Sequence, residues 1–128
     1  MRLVMTTLVV PDYDEAIAFF TGALGFSLLE DSDMGEGKRW VVVGDEAGGK
    51  LLLAKATKPA QQAAVGNQTG GRVGWFVHCD DFAAAHDRLT AAGVAFIEDP
   101  RHETYGTVAV FEDPYGNRWD LIEPKEAS

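Results

Sequence analysis

The chain repeats its own sequence at long range, and this repeat constrains the fold more than any other feature. Residues 24–54 align without a gap with residues 92–122, at a constant offset of 68 positions, and upstream of them the best match is at 67 positions. A unit duplicated within one chain usually folds twice into the same motif, and two such copies can enclose one cavity. We therefore expect a functional site between the two halves. The matched pairs are Gly25 with Gly93, Glu30 with Glu98, Asp31 with Asp99, Val42 with Val110, Asp45 with Asp113, Gly48 with Gly116 and Leu53 with Leu121, then, at 67 positions, Val10 with Val77, Asp14 with Asp81, Ala16 with Ala83 and Ala18 with Ala85.

Length and cysteine content narrow the class of protein. The 128 residues suffice for one domain with its own hydrophobic core. We predict a single domain over residues 1–128, with module one at 1–54, a linker at 55–70 and module two at 71–123. The single cysteine, Cys79, cannot form an internal disulfide, and the apolar run before Pro11 is too short for a signal peptide or a membrane span. These features predict a cytoplasmic protein without a membrane partner.

The charge of the chain restricts its partners. The formal net charge is −9 and the isoelectric point is near 4.6. Such a chain repels phosphate backbones, so we expect no nucleic-acid partner. A cationic ligand would be attracted, whereas an anionic ligand would need a local positive group.

The hydrophobic pattern predicts the same order of elements twice. Residues 2–10 are rich in aliphatic and β-branched residues and predict a strand, which Pro11 ends. Asp12 and Glu15 have the spacing of a helix start, and apolar residues then recur at helical spacing as far as Gly25. Further predicted strands lie at 26–31, 38–44 and 50–54 in module one and at 72–78, 94–99, 107–113 and 118–123 in module two, with a second helix at 80–93. The fold class is therefore α+β with two tandem βαβββ modules, joined by a polar, glycine-rich linker that we expect to be a flexible connection.

Three segments resemble a known family. They are VVPDYDEAIAFFTGALGF, DDFAAAHDRLTAAGVAFIEDP and VAVFEDPYGNRWDLIE, which together span nearly the whole chain. They are similar to the vicinal oxygen chelate superfamily, which includes glyoxalase I, extradiol dioxygenases, fosfomycin resistance proteins and bleomycin resistance proteins. The resemblance implies a glyoxalase-like fold, in which each module contributes a curved mixed sheet to a cup that binds substrate, commonly around a divalent metal. The family's activities are diverse, so the fold alone does not select one.

The resemblance also implies where metal ligands would stand. By register with the family motifs these positions are Met5, Leu52, Arg72 and Asp120, where metal-using members carry His, Gln or Glu. Only Asp120 is a competent ligand, and the fixed charge of Arg72 would repel a cation. We therefore expect no cofactor and no metal, and a divalent metal only if the chain is an enzyme of this family. Arg72 has two open interpretations, a structural ion pair with Asp120 or a binding site for a ligand anion.

The remaining cup wall follows from strand alternation and family register. The wall is mainly apolar, and it suits an aromatic or amphipathic small molecule. Trp40 and Phe76 offer flat surfaces to such a ligand, or else they simply fill space in a small curved sheet. The predicted ligand-binding residues are Met5, Thr7, Trp40, Leu52, Arg72, Phe76, Tyr105, Val108, Val110 and Asp120, with Val9, Val42, Gly74, Arg118 and Ile122 on the same wall.

Few groups offer catalytic chemistry. His102 and Tyr105 lie in RHETYG, a polar segment at the equivalent of a substrate-covering loop in the family, and they are the candidate acid or base groups, with simple surface exposure as the alternative. His86 shares a helical face with apolar residues, and a packed or rim position is favoured over metal ligation for both His86 and His78. No nucleophile motif is present, and Cys79 has no predicted basic neighbour on its own face of the strand.

Two functions remain open from sequence. The first is a metal-independent protein that binds a small molecule, similar to the bleomycin resistance proteins. The second is a glyoxalase- or dioxygenase-like enzyme, a lyase or an oxidoreductase, with a divergent active site. The family resemblance and the exposed edges of short curved sheets also predict a homodimer.

Overall fold

The structure is a computed structural model that describes residues 1–125. The chain divides into two compact units, a first unit of residues 1–65 and a second unit from residue 66 onward. Within residues 1–125, every helix is too short or too polar to cross a membrane.

The first unit is a four-stranded mixed sheet with a helix on one face. The strand order is β1-β4-β3-β2, with β1 parallel to β4 and the other neighbouring pairs antiparallel. The faces are clearly distinguished, since Leu8 and Val10 are fully buried while Thr7 is exposed and Val9 half-buried. The elements are β1 (Thr6–Val10), α1 (Tyr13–Gly22), β2 (Ser27–Asp33), β3 (Arg39–Gly44), β4 (Lys50–Lys55) and α2 (Pro59–Ala64).

The second unit repeats this architecture. Its strand order is β5-β9-β8-β6, with β5 parallel to β9 and a further short strand, β7, paired antiparallel with β8. The predicted βαβββ order is thus present in both units, and the fold class is confirmed. The elements are β5 (Val73–His78), α3 (Phe82–Ala91), β6 (Ala95–Phe96), β7 (Arg101–Glu103), β8 (Gly106–Glu112) and β9 (Arg118–Pro124).

Both long helices begin at an aspartate cap. The Asp12 carboxylate accepts a hydrogen bond from the Glu15 backbone N–H at 2.8 Å, and that of Asp81 accepts one from the Ala84 N–H at 3.1 Å. Each cap satisfies a helix-end donor that would otherwise lack a partner. Because the caps are Asp12 and Asp81, the helices are equivalent at an offset of 69 positions, and the predicted offset of 67 is wrong.

The offset changes by one residue at the C-terminal ends of the two helices. The cap residues Ala23 and Ala92 are 69 positions apart, whereas the following glycines, Gly25 and Gly93, are 68 apart. Both glycines have positive φ, at 70° and 85°, which is the left-handed conformation that ends a helix. Leu24 therefore has no counterpart in the second unit, and the offset of 68 holds for the strands that follow.

The segment DPYGN before β9 is a turn organised by one carboxylate. Asp113 is only 5% exposed and accepts hydrogen bonds from the backbone N–H groups of Tyr115 and Asn117, both at 3.0 Å. It also accepts from Asn117 Nδ2 at 2.9 Å and from Trp119 Nε1 at 3.1 Å. The turn thereby fixes Trp119, whose ring stacks on Trp75 at 5.4 Å in the core of the second unit.

Three sequence predictions need correction. The strand predicted at 2–10 begins only at Thr6, and that predicted at 94–99 is shortened to Ala95–Phe96. The predicted linker at 55–70 is not a plain connection, because it contains α2, with Pro59 in the first helical turn. Proline fits there because the first turn has no use for its missing N–H.

Candidate functional site

The first unit has a pocket on the open face of its sheet, the face opposite α1. Thr7 and Leu52 are direct partners in the β1–β4 register, so their side chains share this face. The pocket has a volume of about 610 Å³, which lies in the range of small-molecule sites. Its lining residues include Thr7, Val9, Trp40, Leu52, Ala54 and Gln61.

Arg39 holds the strand that carries Trp40. Its guanidinium forms ion pairs with Asp14 at 2.9 Å and Asp31 at 2.8 Å, and its carbon Cζ lies 5.2 Å from the centre of the Tyr13 ring. The hydrogen bond from Arg39 holds the pKa of Asp31 below its usual range. These contacts fix the start of β3, and hence Trp40, against α1.

The rim of the same pocket carries positive charge that sequence reasoning missed. Lys38 and Lys55 are both lining residues. Neither ammonium group forms an ion pair with a carboxylate of residues 1–125. The pocket thus combines an apolar floor with a charged edge, on which Lys38 and Lys55 lie together with Glu36.

In the second unit, Asp120 occupies the centre of the open sheet face. It is the register partner of Phe76 on β5 and of Val110 on β8, so all three side chains share one face. Phe76 is 62% exposed, whereas Val110 is buried. Asp120 Oδ1 is buried and has no hydrogen-bond partner among the described residues. Burial raises the pKa of this carboxyl, Arg101 partly opposes the rise, and Glu98 adds to it.

Arg101 is the cation that acts on Asp120, and sequence reasoning did not identify it. Its Nε lies 3.1 Å from both carboxylate oxygens of Glu98, and its Nη1 lies 2.8 Å from Glu103. The only signal in the sequence was the alternation of charge at 98, 101 and 103, which is common on any solvated surface.

Arg72 does not have the predicted position. It lies exposed before β5 begins at Val73, and no ion pair joins it to Asp120 within residues 1–125. The cause is the offset of 69 positions, which makes Gly74 the counterpart of Met5 and Phe76 the counterpart of Thr7. The interpretation of Arg72 as the structural ion-pair partner of Asp120 is therefore wrong. Met5 itself is half-buried and precedes β1.

The segment RHETYG is a hairpin and not a loop. Arg101–Glu103 forms β7, which pairs with β8, and only Thr104 and Tyr105 form the turn. His102 is exposed, with Nδ1 3.3 Å from Thr107 Oγ1, and Tyr105 is 53% exposed. The predicted wall residues Val108 and Val110 follow on β8 and are both buried.

The other potential ligands and nucleophiles have structural surroundings. His86 stacks on Phe96 with ring centres 4.0 Å apart, which confirms the packed interpretation, and His78 is exposed at the end of β5. Burial raises the pKa of the Cys79 thiol, as do Glu123, Asp80 and Asp81. A raised pKa disfavours the thiolate that a nucleophile requires.

The donor set does not fit a metal of the family type. Met5, Leu52 and Gly74, the counterpart of Met5, offer no nitrogen or oxygen donor in their side chains. Asp120 alone would supply one carboxylate where a stable divalent site uses three or more donors. Within residues 1–125, no three His, Cys, Asp or Glu side chains are grouped so that they could hold a metal ion.

Comparisons with known proteins agree with this architecture. The model of the glyoxalase/bleomycin resistance protein/dioxygenase superfamily matches residues 2–121. An uncharacterized protein of Shewanella frigidimarina is 50% identical over 124 residues, which cover 94% of this chain and 92% of the relative. A probable lactoylglutathione lyase of Vibrio cholerae is 30% identical over 131 residues, covering 98% of this chain and 93% of the relative.

A solved structure adds a second line of similarity. The crystal structure of TnmS3, an antibiotic binding protein from Streptomyces sp. CB03234, has a TM-score of 0.72 and 30% identity, with 98% of each chain covered. The chain therefore belongs to the glyoxalase/bleomycin resistance protein/dioxygenase superfamily.

Proposed function

We propose that this protein binds an aromatic or amphipathic small molecule on the open faces of its sheets without a metal-centred reaction. The observation that carries the proposal is the identity of Leu52. The family resemblance implies that this position carries a ligand in metal-using members, and here Leu52 lines the pocket of the first unit together with Trp40. A hydrocarbon side chain at that point favours an apolar ligand group over a metal.

The pocket has the physical character of a ligand site. Its floor of Val9, Trp40, Leu52 and Ala54 offers apolar surface, whose burial by a ligand is favourable. An aromatic ligand ring gains further from contact with the indole of Trp40. The similarity to an antibiotic binding protein at 30% identity supports the same class of function.

A direct test uses anilinonaphthalene sulfonate, an amphipathic aromatic dye, as the probe. We expect Trp40→Leu to weaken dye binding about tenfold, a loss of about 1.4 kcal/mol, because it removes the flat surface of the pocket. Ile97→Ala is the matched control, since Ile97 is an exposed apolar residue outside the pocket lining. Unchanged dye affinity in Trp40→Leu would contradict the proposal.

The second candidate function is a lyase. The observation that favours it is the 30% identity to a probable lactoylglutathione lyase over nearly the whole chain. Such an activity would need an acid or base group, for which His102, Tyr105 and Asp120 are the available side chains. Interconversion of S-lactoylglutathione with glutathione and methylglyoxal by the purified protein, lost in Asp120→Asn, would establish this function in place of simple binding.

We also propose that the protein is a homodimer. In the first unit, β1 and β2 are edge strands, and β2 carries the exposed Leu28. Unpaired strand edges with apolar side chains favour association with a second copy. Light scattering at micromolar concentration should give twice the chain mass of 13.8 kDa, and the mass of a single chain would contradict the proposal.

A further inference from the structure

The carboxylate of Asp120 is the strongest unexplained feature of the second unit. Its Oδ1 atom is buried and accepts no hydrogen bond from residues 1–125. Buried polar atoms in folded proteins are nearly always paired, since removing them from water without a partner is costly. An unpaired oxygen therefore points to a hydrogen-bond donor that is supplied from outside the chain.

The neighbouring cation does not meet this need. Arg101 directs Nε to Glu98 and Nη1 to Glu103, so its charge is shared by two other carboxylates. With Asp120 included, one guanidinium faces three carboxylates. The cluster therefore carries excess negative charge when its acids are ionised, and it favours a cation over an anion.

An apolar side chain lies beside Asp120 on the same face of the sheet. Phe76 is the register partner of Asp120 on β5 and is 62% exposed, which is unusual for a phenylalanine. An aromatic ring of this kind offers contact to a ligand ring and also attracts cations to its face. The Asp120 carboxylate and the Phe76 ring together define the kind of ligand group that can bind here.

We propose that Asp120 and Phe76 form a subsite for a protonated amine that is carried close to an aromatic or apolar group of the ligand. The ammonium donates to Asp120 Oδ1, and the adjoining apolar group packs on Phe76. This inference rests on the proposed binding function and specifies the chemistry of its ligand. A single carboxylate is too few donors for a metal ion, whereas one charge-assisted hydrogen bond is sufficient for an ammonium.

The test compares three probes of the same shape and different charge. These are phenethylamine, phenethyl alcohol and hydrocinnamate, each titrated into the protein by NMR up to about 10 mM, where millimolar affinities are measurable. We expect the amine to bind at least about tenfold more tightly than the alcohol, and the carboxylate to bind most weakly.

Variants assign the preference to the residues. Asp120→Asn should bring the amine to within about twofold of the alcohol, while Phe76→Ala should weaken both. Asp99→Asn is the matched control, because it removes the same charge from an exposed residue outside the cluster, and it should preserve the preference.

The outcomes separate the subsite from the general function. Equal binding of amine and alcohol, or a preference that survives in Asp120→Asn, would overturn the subsite and leave the proposed function intact. Failure of all three probes to bind at any residue of the second unit would overturn the subsite, while dye binding at Trp40 would still support the proposed function.

Discussion

The carboxylate of Glu98 accepts a hydrogen bond from the backbone N–H of Val110 at 3.0 Å. Val110 lies on β8 between the residues that pair with β6 and those that pair with β7. The side chain thus takes the place of a strand partner where the edge of the sheet is interrupted. The same carboxylate binds Arg101, so the sheet edge and the charged cluster beside Asp120 depend on one residue.

We expect Glu98→Ala to lower the free energy of unfolding by about 2 kcal/mol, because it leaves the partly buried Val110 N–H without its partner. Glu98→Gln retains an acceptor oxygen and should cost about half as much. Urea unfolding measures both values. Glu103→Ala is the control, since Glu103 binds Arg101 alone; a loss as large as that of Glu98→Ala would argue against the strand-partner role.

The repeat itself provides a control for the DPYGN turn. Asp113→Ala should lower stability by about 3 kcal/mol, because four hydrogen bonds meet on its buried carboxylate. Asp45, its counterpart at 68 positions, is exposed and accepts from the Ala47 N–H, so Asp45→Ala should cost at most about 1 kcal/mol. Thermal melts of the two variants compare these costs directly, and equal shifts would contradict this account of the turn.

Two glycines of positive φ allow the stability cost of backbone strain to be distinguished from the cost of a steric clash. Gly66 has φ of 74°, and a Cβ there would fall on the carbonyl oxygen of Tyr115; Gly70 has φ of 68° and open space around it. Gly70→Ala should therefore cost about 1 kcal/mol from strain alone. Gly66→Ala should cost at least about 2 kcal/mol more. Chemical denaturation of both variants checks this order, and similar values would show that the chain near Gly66 can move aside.

The pH dependence of stability should reveal the environment of Asp120. Burial raises the pKa of this carboxyl in the folded protein above 3.8, its ordinary value. Between the unfolded and folded pKa values the native state holds the proton more tightly, so stability falls as pH rises through the folded pKa. Asp120→Asn removes this group from the titration.

The free energy of unfolding of the wild type, relative to that of Asp120→Asn, should therefore decrease as pH rises from about 4. Denaturant unfolding at a series of pH values measures it. Asp99→Asn corrects for the general effect of removing one negative charge, and a difference independent of pH would mean that Asp120 is well solvated.

The sequence predicted the architecture well where local rules apply. Asp12 with Glu15 marked the first helix, and the alternation of Leu8 and Val10 with Thr7 and Val9 assigned the faces of β1 correctly. The offset of the first strands failed because chance matches, such as Asp14 with Asp81, outweighed the true equivalence of the two caps. This error placed Arg72 inside the predicted strand, whereas Arg72 precedes β5.

The candidate site was less predictable because its contacts are distant in sequence. Glu98 and Val110 are hydrogen-bonded although they are twelve positions apart in the sequence. Arg101, which acts on the charge of Asp120, lies on β7, whereas Asp120 lies on β9. No local pattern distinguishes these residues from an ordinary solvated surface. Helix α2, by contrast, had a usable signal in Pro59 followed by alanines and glutamines.

The one-residue difference at the ends of α1 and α3 has an evolutionary consequence. Since it falls in a helix cap, neither sheet lost its pairing, and each duplicated copy kept a complete scaffold. The open faces of the two sheets carry different side chains: the first is apolar with Lys38, Lys55 and Glu36 at its edge, and the second carries Asp120 in acidic surroundings. One backbone plan thus presents two chemically different sheet faces within a single chain.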